Sequence, residues 1–346
     1  MAQTPNIDGV LVQWGDRLFY PGNRIVKVQP QPRLDSGSMR QRAAAIRQRI
    51  EATVVRRAPQ VMVKVTGGGR GMQAIAAHFR YISKNGRLDV ENEQGETIRG
   101  KSAVHDLPDD WRFGGSLIDD VGYRREAFNI MLSMPRGTDP LIVQKAAREF
   151  AQTELADHKY VMVLHNHQAN PHVHISVRAE SISGLRLNPR KADLHRWRET
   201  FAAKLQGYGV AAEATRQAAR GQIRSPDALW RLKAQEDGRL RKTRPMSKTG
   251  EKVKASRADA LGAWVNIGKA LAQSGVPSDI RLASAIASFV SLPSIERKLL
   301  APVQIPEPLI EKSPKSNSLG KAELSVVRIS SRHRRQLVQL QCMARL

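Results

Sequence analysis

Histidines are the residues of this sequence whose type and spacing most clearly point to chemistry. Five of the nine histidines fall within residues 158–174. His172 and His174 flank one apolar residue, and alternate side chains of a strand share a face, about 6–7 Å apart along it. His165 ends the preceding apolar segment, so an antiparallel return would bring it alongside. Three converging imidazoles can hold one metal ion and leave positions open for a substrate.

The type of metal depends on what else the site binds. Three neutral imidazoles alone would suit Zn, Mn, Co or Ni. An ion that also holds phosphate oxygens is more typically Mg or Mn, and we take these two as the expected cofactors. The simpler interpretation is a surface strand with incidental histidines. A third histidine on the neighbouring strand end, and Pro171 fixing the turn between, favour a functional site.

The elements that would position these histidines follow from the apolar spacing. Alternation predicts strands at residues 61–65, 127–134, 160–164 and 172–178. A 3.6-residue period predicts helices at residues 39–57, 72–83, 139–155, 192–207 and 256–274. We expect a hairpin and loops over residues 87–125. The pattern indicates an α+β fold with a central antiparallel sheet and helices packed on it.

Charge indicates the kind of partner. The 346 residues include 56 Lys and Arg against 32 Asp and Glu, a net charge of +24, and the 41% hydrophobic content excludes wholesale disorder. Such an excess predicts a polyanion, most often nucleic acid or an anionic membrane. Residues 61–215 carry 21 basic and 18 acidic side chains, so most of the excess lies outside them. We predict a basic extension at residues 1–58 and a catalytic domain at 59–225. A basic linker is expected at 226–260, and a helical or low-order region at 261–346.

The remaining composition indicates the compartment. The one cysteine, Cys342, allows no internal disulfide, which is typical of a cytoplasmic protein. We see no signal peptide at the N-terminus. No apolar run approaches the roughly 20 residues of a membrane span.

A family resemblance enters through the histidine segment. An apolar strand followed by His165-Asn-His-Gln-Ala-Asn-Pro-His-Val-His174 resembles the motif of conjugative relaxases, the HUH endonucleases. The branch with the T-DNA border endonucleases and plasmid mobilization relaxases is the most similar. The similarity includes Ser133-Met-Pro-Arg-Gly-Thr-Asp139 and, more weakly, residues 216–221. It covers roughly residues 61–225, and implies an HUH relaxase-like fold for them.

The same family cleaves DNA with a tyrosine. Tyr81, in Tyr-Ile-Ser-Lys-Asn-Gly86, resembles the nucleophile motif of the family. The neighbouring cations Arg80, Lys84 and Arg87 would lower the cost of forming a phenolate and would attract phosphate. We add three further basic residues to the expected DNA contacts: Arg178, Arg190 and Lys191.

The resemblance implies an activity and its partners. A relaxase nicks one strand at a transfer origin by metal-dependent transesterification, and forms a 5′-phosphotyrosyl link for conjugative transfer or mobilization. The implied partners are single-stranded DNA, relaxosome accessory proteins and the coupling protein of a type IV secretion system. Many relatives carry an acidic residue where this sequence has His167, so His167 must take that catalytic task or it falls elsewhere.

Two other functions remain open at this point. One is a rolling-circle replication initiator or a transposase-like HUH nuclease, which a helicase domain or a second catalytic tyrosine would favour. The other is a non-catalytic DNA-binding accessory protein of the relaxosome, which would bind DNA without forming an adduct.

Overall fold

The strands form where apolar and polar residues alternate, and they join in a single sheet. The computed structural model describes residues 6–20, 36–221, 234–240 and 250–291. Its strands are β1 (Met62–Gly67), β2 (Val90–Asn92), β3 (Thr97–Ile98), β4 (Ala127–Ser133), β5 (Tyr160–His165) and β6 (His172–Arg178). Their order is β1-β4-β6-β5-β2-β3, and each neighbouring pair is antiparallel. The predicted α+β fold with a central antiparallel sheet is confirmed.

The helices lie on both faces of this sheet and beside it. They are α1 (Ile7–Phe19), α2 (Ser36–Ile50), α3 (Met72–Ile82), α4 (Gly100–Phe113), α5 (Pro140–Glu154), α6 (Lys191–Gly207), α7 (Glu251–Ala272) and α8 (Pro277–Ser291). A π-helical turn, Glu51–Val55, follows α2. None of the helices in the described ranges is long and apolar enough to cross a membrane.

Each face of the sheet buries its own apolar core. On one face, Val173 and Ile175 of β6 pack with residues of α5 and α6, among them Phe150 and Trp197. On the other face, α3 and α4 cover part of β5, where Val163 is buried. Because alternate strand residues point to opposite faces, the histidines that flank Val173 lie on the α3 side.

Helix α4 was not predicted from the sequence, where we expected only a hairpin and loops. The hairpin is present as β2 and β3. The helix carries Pro108 in its interior and many charged residues, which obscured its pattern. Its buried residues Val104, Leu107 and Trp111 nevertheless follow a helical period.

Two helices from the first 50 residues meet α7 and α8 in a helical cluster. Helices α1, α2, α7 and α8 share one apolar core. In it, the Trp264 ring packs edge-on against Phe19 and Phe289, at centroid distances of 5.9 and 5.6 Å. The predicted linker contains the start of α7, and its residues 226–233 and 241–249 lie outside the described ranges. Residues 292–346 also lie outside them, although we had placed them in one region with α7 and α8.

Ion pairs account for much of the positive charge of α2. The Arg47 guanidinium binds Asp279 of α8 and Asp8 of α1 at 2.9 Å. Arg49 is buried and donates to Glu199 of α6 at 2.8 and 2.9 Å, which ties the helical cluster to the sheet layers. These arginines therefore hold the fold together, whereas their charge alone is equally typical of residues that bind a polyanion.

Candidate active site

The register of β5 and β6 brings three histidines together. His165, at the end of β5, pairs directly with His172 at the start of β6, and His174 follows on the same face. Ring centroids lie 4.6 Å apart for His165 and His174, and 5.1 Å apart for the other two pairs. One nitrogen from each ring lies within 4.8 Å of the other two. The convergence predicted from the sequence is present in the structure.

Backbone carbonyls hold two of these rings. The Nε2 of His165 donates to the carbonyl oxygen of Ile82 at 2.6 Å, and the Nδ1 of His172 donates to that of Asn170 at 2.9 Å. A carbonyl oxygen only accepts, so each of these nitrogens carries the ring proton. The Nδ1 of His165 and the Nε2 of His172 therefore retain lone pairs. This is the arrangement in which a histidine can bind a metal ion.

Burial favours the uncharged form of two of these histidines, His165 and His174. It lowers the pKa of His165, and it lowers the pKa of His174 to about 3, with a further contribution from the neighbouring imidazoles. Protons therefore compete weakly for the free nitrogens near neutral pH. Three imidazoles with converging nitrogens fit a divalent cation. The fit is to a cation in general, and it leaves the choice between metals open.

The turn between the two strands is fixed from a neighbouring loop. Pro171 is buried, and its carbonyl oxygen accepts from the backbone amide of Met134 at 3.1 Å and from the hydroxyl of Ser133 at 3.3 Å. The side chain of Asn170 accepts from the amide of Arg136 at 3.0 Å. The segment from Ser133 onward, singled out in the sequence, thus supports the histidine turn.

Tyr81 lies in the last turn of α3, beside the histidines. The apolar stripe of this helix is buried, with Phe79 and Ile82 among its members, whereas the Tyr81 side chain is 72% exposed. Ile82 is also the residue whose carbonyl holds His165. Helix α3 ends at Ile82, and in the turn that follows it Gly86 has a φ of +79°, where a Cβ would collide with Gly100. The end of α3 is therefore fixed where the tyrosine enters the site.

Tyr81 and the histidines share one cleft of about 570 Å³. Three of the predicted DNA contacts line it: Arg80, Lys84 and Arg87. His167 also lines it, is exposed, and has its ring centroid 5.1 Å from that of His165. A tyrosine hydroxyl, a set of potential metal ligands and several cations thus face the same space.

The other three predicted DNA contacts lie elsewhere. Arg178 is only 3% exposed, and its guanidinium donates to the carbonyl oxygens of Trp111 and Ser116 near the end of α4. Assigning it to DNA was wrong, because the side chain points into the protein. Arg190 and Lys191 are exposed at the start of α6, which packs on the face of the sheet opposite to the histidines.

A fourth histidine belongs to this neighbourhood and was not predicted. His78 lies one helical turn before Tyr81, with its ring centroid 6.2 Å from that of Tyr81 and 6.5 Å from that of His174. Burial lowers the pKa of His78 to about 4. Its spacing of three residues from Tyr81 was the available signal, since residues i and i+3 lie on neighbouring positions of a helix.

Comparison with known proteins agrees with this site. Residues 87–210 match the family described as relaxase, MobA/VirD2-like, nuclease domain. They include His165, His172 and His174, whereas Tyr81 lies just before them. The resemblance stated from the sequence is confirmed, since these residues are similar to a relaxase nuclease domain of this branch.

Curated relatives with low sequence identity to this chain agree with the family match. The T-DNA border endonuclease VirD2 of Agrobacterium fabrum is 24% identical over 187 residues, which cover 48% of this chain and 42% of the relative. The VirD2 of Rhizobium radiobacter is also 24% identical, and that of Rhizobium rhizogenes is 22% identical. The matched region covers less than half the length of these relatives.

Proposed function

We propose that this chain, a relaxase by its MobA/VirD2-like nuclease domain, nicks one strand of DNA at a transfer origin by transesterification. The observation that carries the proposal is the exposed Tyr81 in the same cleft as the converging histidines. In this proposal Tyr81 is the nucleophile, and His165, His172 and His174 hold a divalent ion, Mg²⁺ or Mn²⁺.

The proposed step exchanges one phosphodiester for another. The Oη of Tyr81 attacks phosphorus, a Tyr81 Oη–phosphorus bond forms, and the bond from phosphorus to the 3′ oxygen breaks. The phenol proton leaves Tyr81, and the departing 3′ oxygen takes up a proton to become a free hydroxyl. The DNA fragment downstream of the nick therefore stays bound to the protein, with its 5′ phosphate joined to Tyr81 as a phosphotyrosine. Because the same kinds of bond form and break, the step is close to thermoneutral and can be reversed to rejoin the strand.

Other residues that line the cleft would assist this step by accepting a proton, binding phosphates and holding the divalent ion. His167, which lines the cleft, would receive the phenol proton, in the place where many relatives carry an acidic residue. Arg80, Lys84 and Arg87 would pair with the backbone phosphates of the strand. A divalent ion held by the three histidines would stabilise the charge that develops on the phosphate oxygens.

The partners are part of the proposal. We infer that the substrate is single-stranded DNA at the transfer origin of the element that encodes the chain. Relaxosome accessory proteins would expose that strand, and the coupling protein of a type IV secretion system would receive the protein–DNA adduct. A cytoplasmic location fits these partners. The match to a relaxase nuclease domain disfavours a replication initiator or transposase.

A labelled oligonucleotide tests the proposal directly. Single-stranded DNA from the transfer origin, labelled at either end, is incubated with the full chain and Mg²⁺ or Mn²⁺, then run on a denaturing gel. We expect a covalent protein band that carries the 3′-end label, and a released fragment that carries the 5′-end label. Binding without any covalent band would instead identify a non-catalytic accessory protein. A band with the 5′-end label would contradict the proposed polarity.

A further inference from the structure

The three histidines differ in how their rings are held. His165 and His172 each donate to a backbone carbonyl oxygen. The Nδ1 of His174 is buried and has no hydrogen-bond partner among the residues that the structure describes. A histidine that ligates a metal almost always has its second nitrogen oriented by a partner. His174 therefore lacks the support from a backbone carbonyl that the other two histidines have.

The neighbouring side chain with a matching need is His78. Its Nε2 is also buried and without a hydrogen-bond partner in the described ranges. The two rings are nearly perpendicular, at 76°, with centroids 6.5 Å apart. Leaving two buried ring nitrogens without hydrogen bonds destabilises the folded state. One neutral imidazole donating to another would satisfy both.

We propose that His78 is the positioning residue of the metal site, and accepts a hydrogen bond from the Nδ1–H of His174, directly or through one water molecule. The Nε2 of His174 would then face the cleft together with the free nitrogens of the other two histidines. The inference rests on the proposed function only in requiring a metal at the histidines. His78 needs no contact with the DNA for this role.

The position of His78 on α3 gives the arrangement a further consequence. The carbonyl oxygen of Ile82, at the end of the same helix, holds His165. Tyr81 lies on that helix between the two supports. One helix would therefore orient two of the three metal ligands and carry the nucleophile, so that the ligands and Tyr81 keep a fixed relation.

Metal affinity without DNA tests the proposal. Binding of Co²⁺ to the full chain is followed by calorimetry and by the visible absorption of the bound ion. For His78→Ala we expect affinity to fall about 10- to 100-fold, the usual cost of losing an orienting partner. His78→Gln, whose amide can replace the hydrogen bond, should recover part of that loss. His105→Ala is the matched control, since His105 is exposed on α4.

Each outcome decides the question. Weaker Co²⁺ binding by His78→Ala, with recovery in His78→Gln and unchanged melting temperatures, supports the positioning role. Unchanged affinity in His78→Ala would overturn it, even if the wild-type chain nicks DNA. Equal losses in both variants with lowered melting temperatures would also overturn it, because they indicate a packing role. If the Co²⁺ affinity depends on His78 as expected, yet the wild-type chain forms no adduct with DNA, the proposed function alone would be overturned.

Discussion

His165 and His172 face each other across β5 and β6, with ring centroids 5.1 Å apart. This pairing makes the site depend on strand register, because a slip of one residue would turn every side chain of one strand to the opposite face. The loop contacts of Pro171 restrain the turn that sets the register. The site is therefore a property of the sheet rather than of a flexible loop.

Replacement of His172 or His174 by alanine should abolish metal-dependent nicking. Each change removes one of three nitrogens, while the cations of the cleft remain to bind DNA. We expect adduct formation to fall at least a hundredfold and binding to single-stranded DNA to change little, as measured by gel assay and fluorescence anisotropy. Nicking by either variant at the wild-type rate, or wild-type nicking in excess chelator, would rule out the metal role.

The Tyr81→Phe variant should bind DNA and metal but form no covalent adduct. It loses only the hydroxyl that would attack phosphorus, and the side chain is exposed, so the fold should be unaffected. Tyr123→Phe is the matched control, because Tyr123 is 98% exposed and does not line the cleft. Peptide mapping of a trapped adduct identifies the linked residue, and a phosphotyrosine elsewhere would contradict the assignment.

The sheet and its histidines could be predicted from the sequence because their signals are local. Alternation in β6 placed His172 and His174 on one face without knowledge of the fold. Helix α4 was missed because Pro108 and its charged residues weaken a local helical pattern. His78 was missed for a different reason, since its role depends on how α3 packs above the sheet.

Contacts between distant segments could not be predicted. Arg47 and Asp279 are 232 residues apart in the chain, and neither residue type indicates the other as its partner. Positive charge identifies a side chain that needs an anion, but a carboxylate and a phosphate serve equally well. This explains why Arg178, which is satisfied by carbonyl oxygens inside the protein, was assigned to DNA.

The salt dependence of DNA binding should distinguish cations in the cleft from those outside it. Lys84→Gln and Arg87→Gln each remove one proposed phosphate contact, which should reduce the slope of log affinity against log salt by roughly 0.7 for a single strand. Arg190→Gln is the control, because Arg190 is exposed on the opposite side of the sheet. Equal effects of all three changes would show that binding does not follow the cleft.

Loss of Arg49 should destabilise the fold strongly, because the side chain is buried between the helical cluster and α6. Its guanidinium binds Glu199 at 2.8 Å and lies 3.5 Å from Glu213, which is also buried. Removing one partner of a buried ion pair typically costs about 3–5 kcal/mol, since the other charge is left uncompensated. Arg49→Ala should therefore lower the free energy of unfolding in urea by several kcal/mol. The matched control is Arg99→Ala, which breaks an exposed pair with Asp89 and should cost under about 1 kcal/mol. If the two variants were equally stable, the helical cluster would not depend on Arg49 for its attachment to the sheet layers.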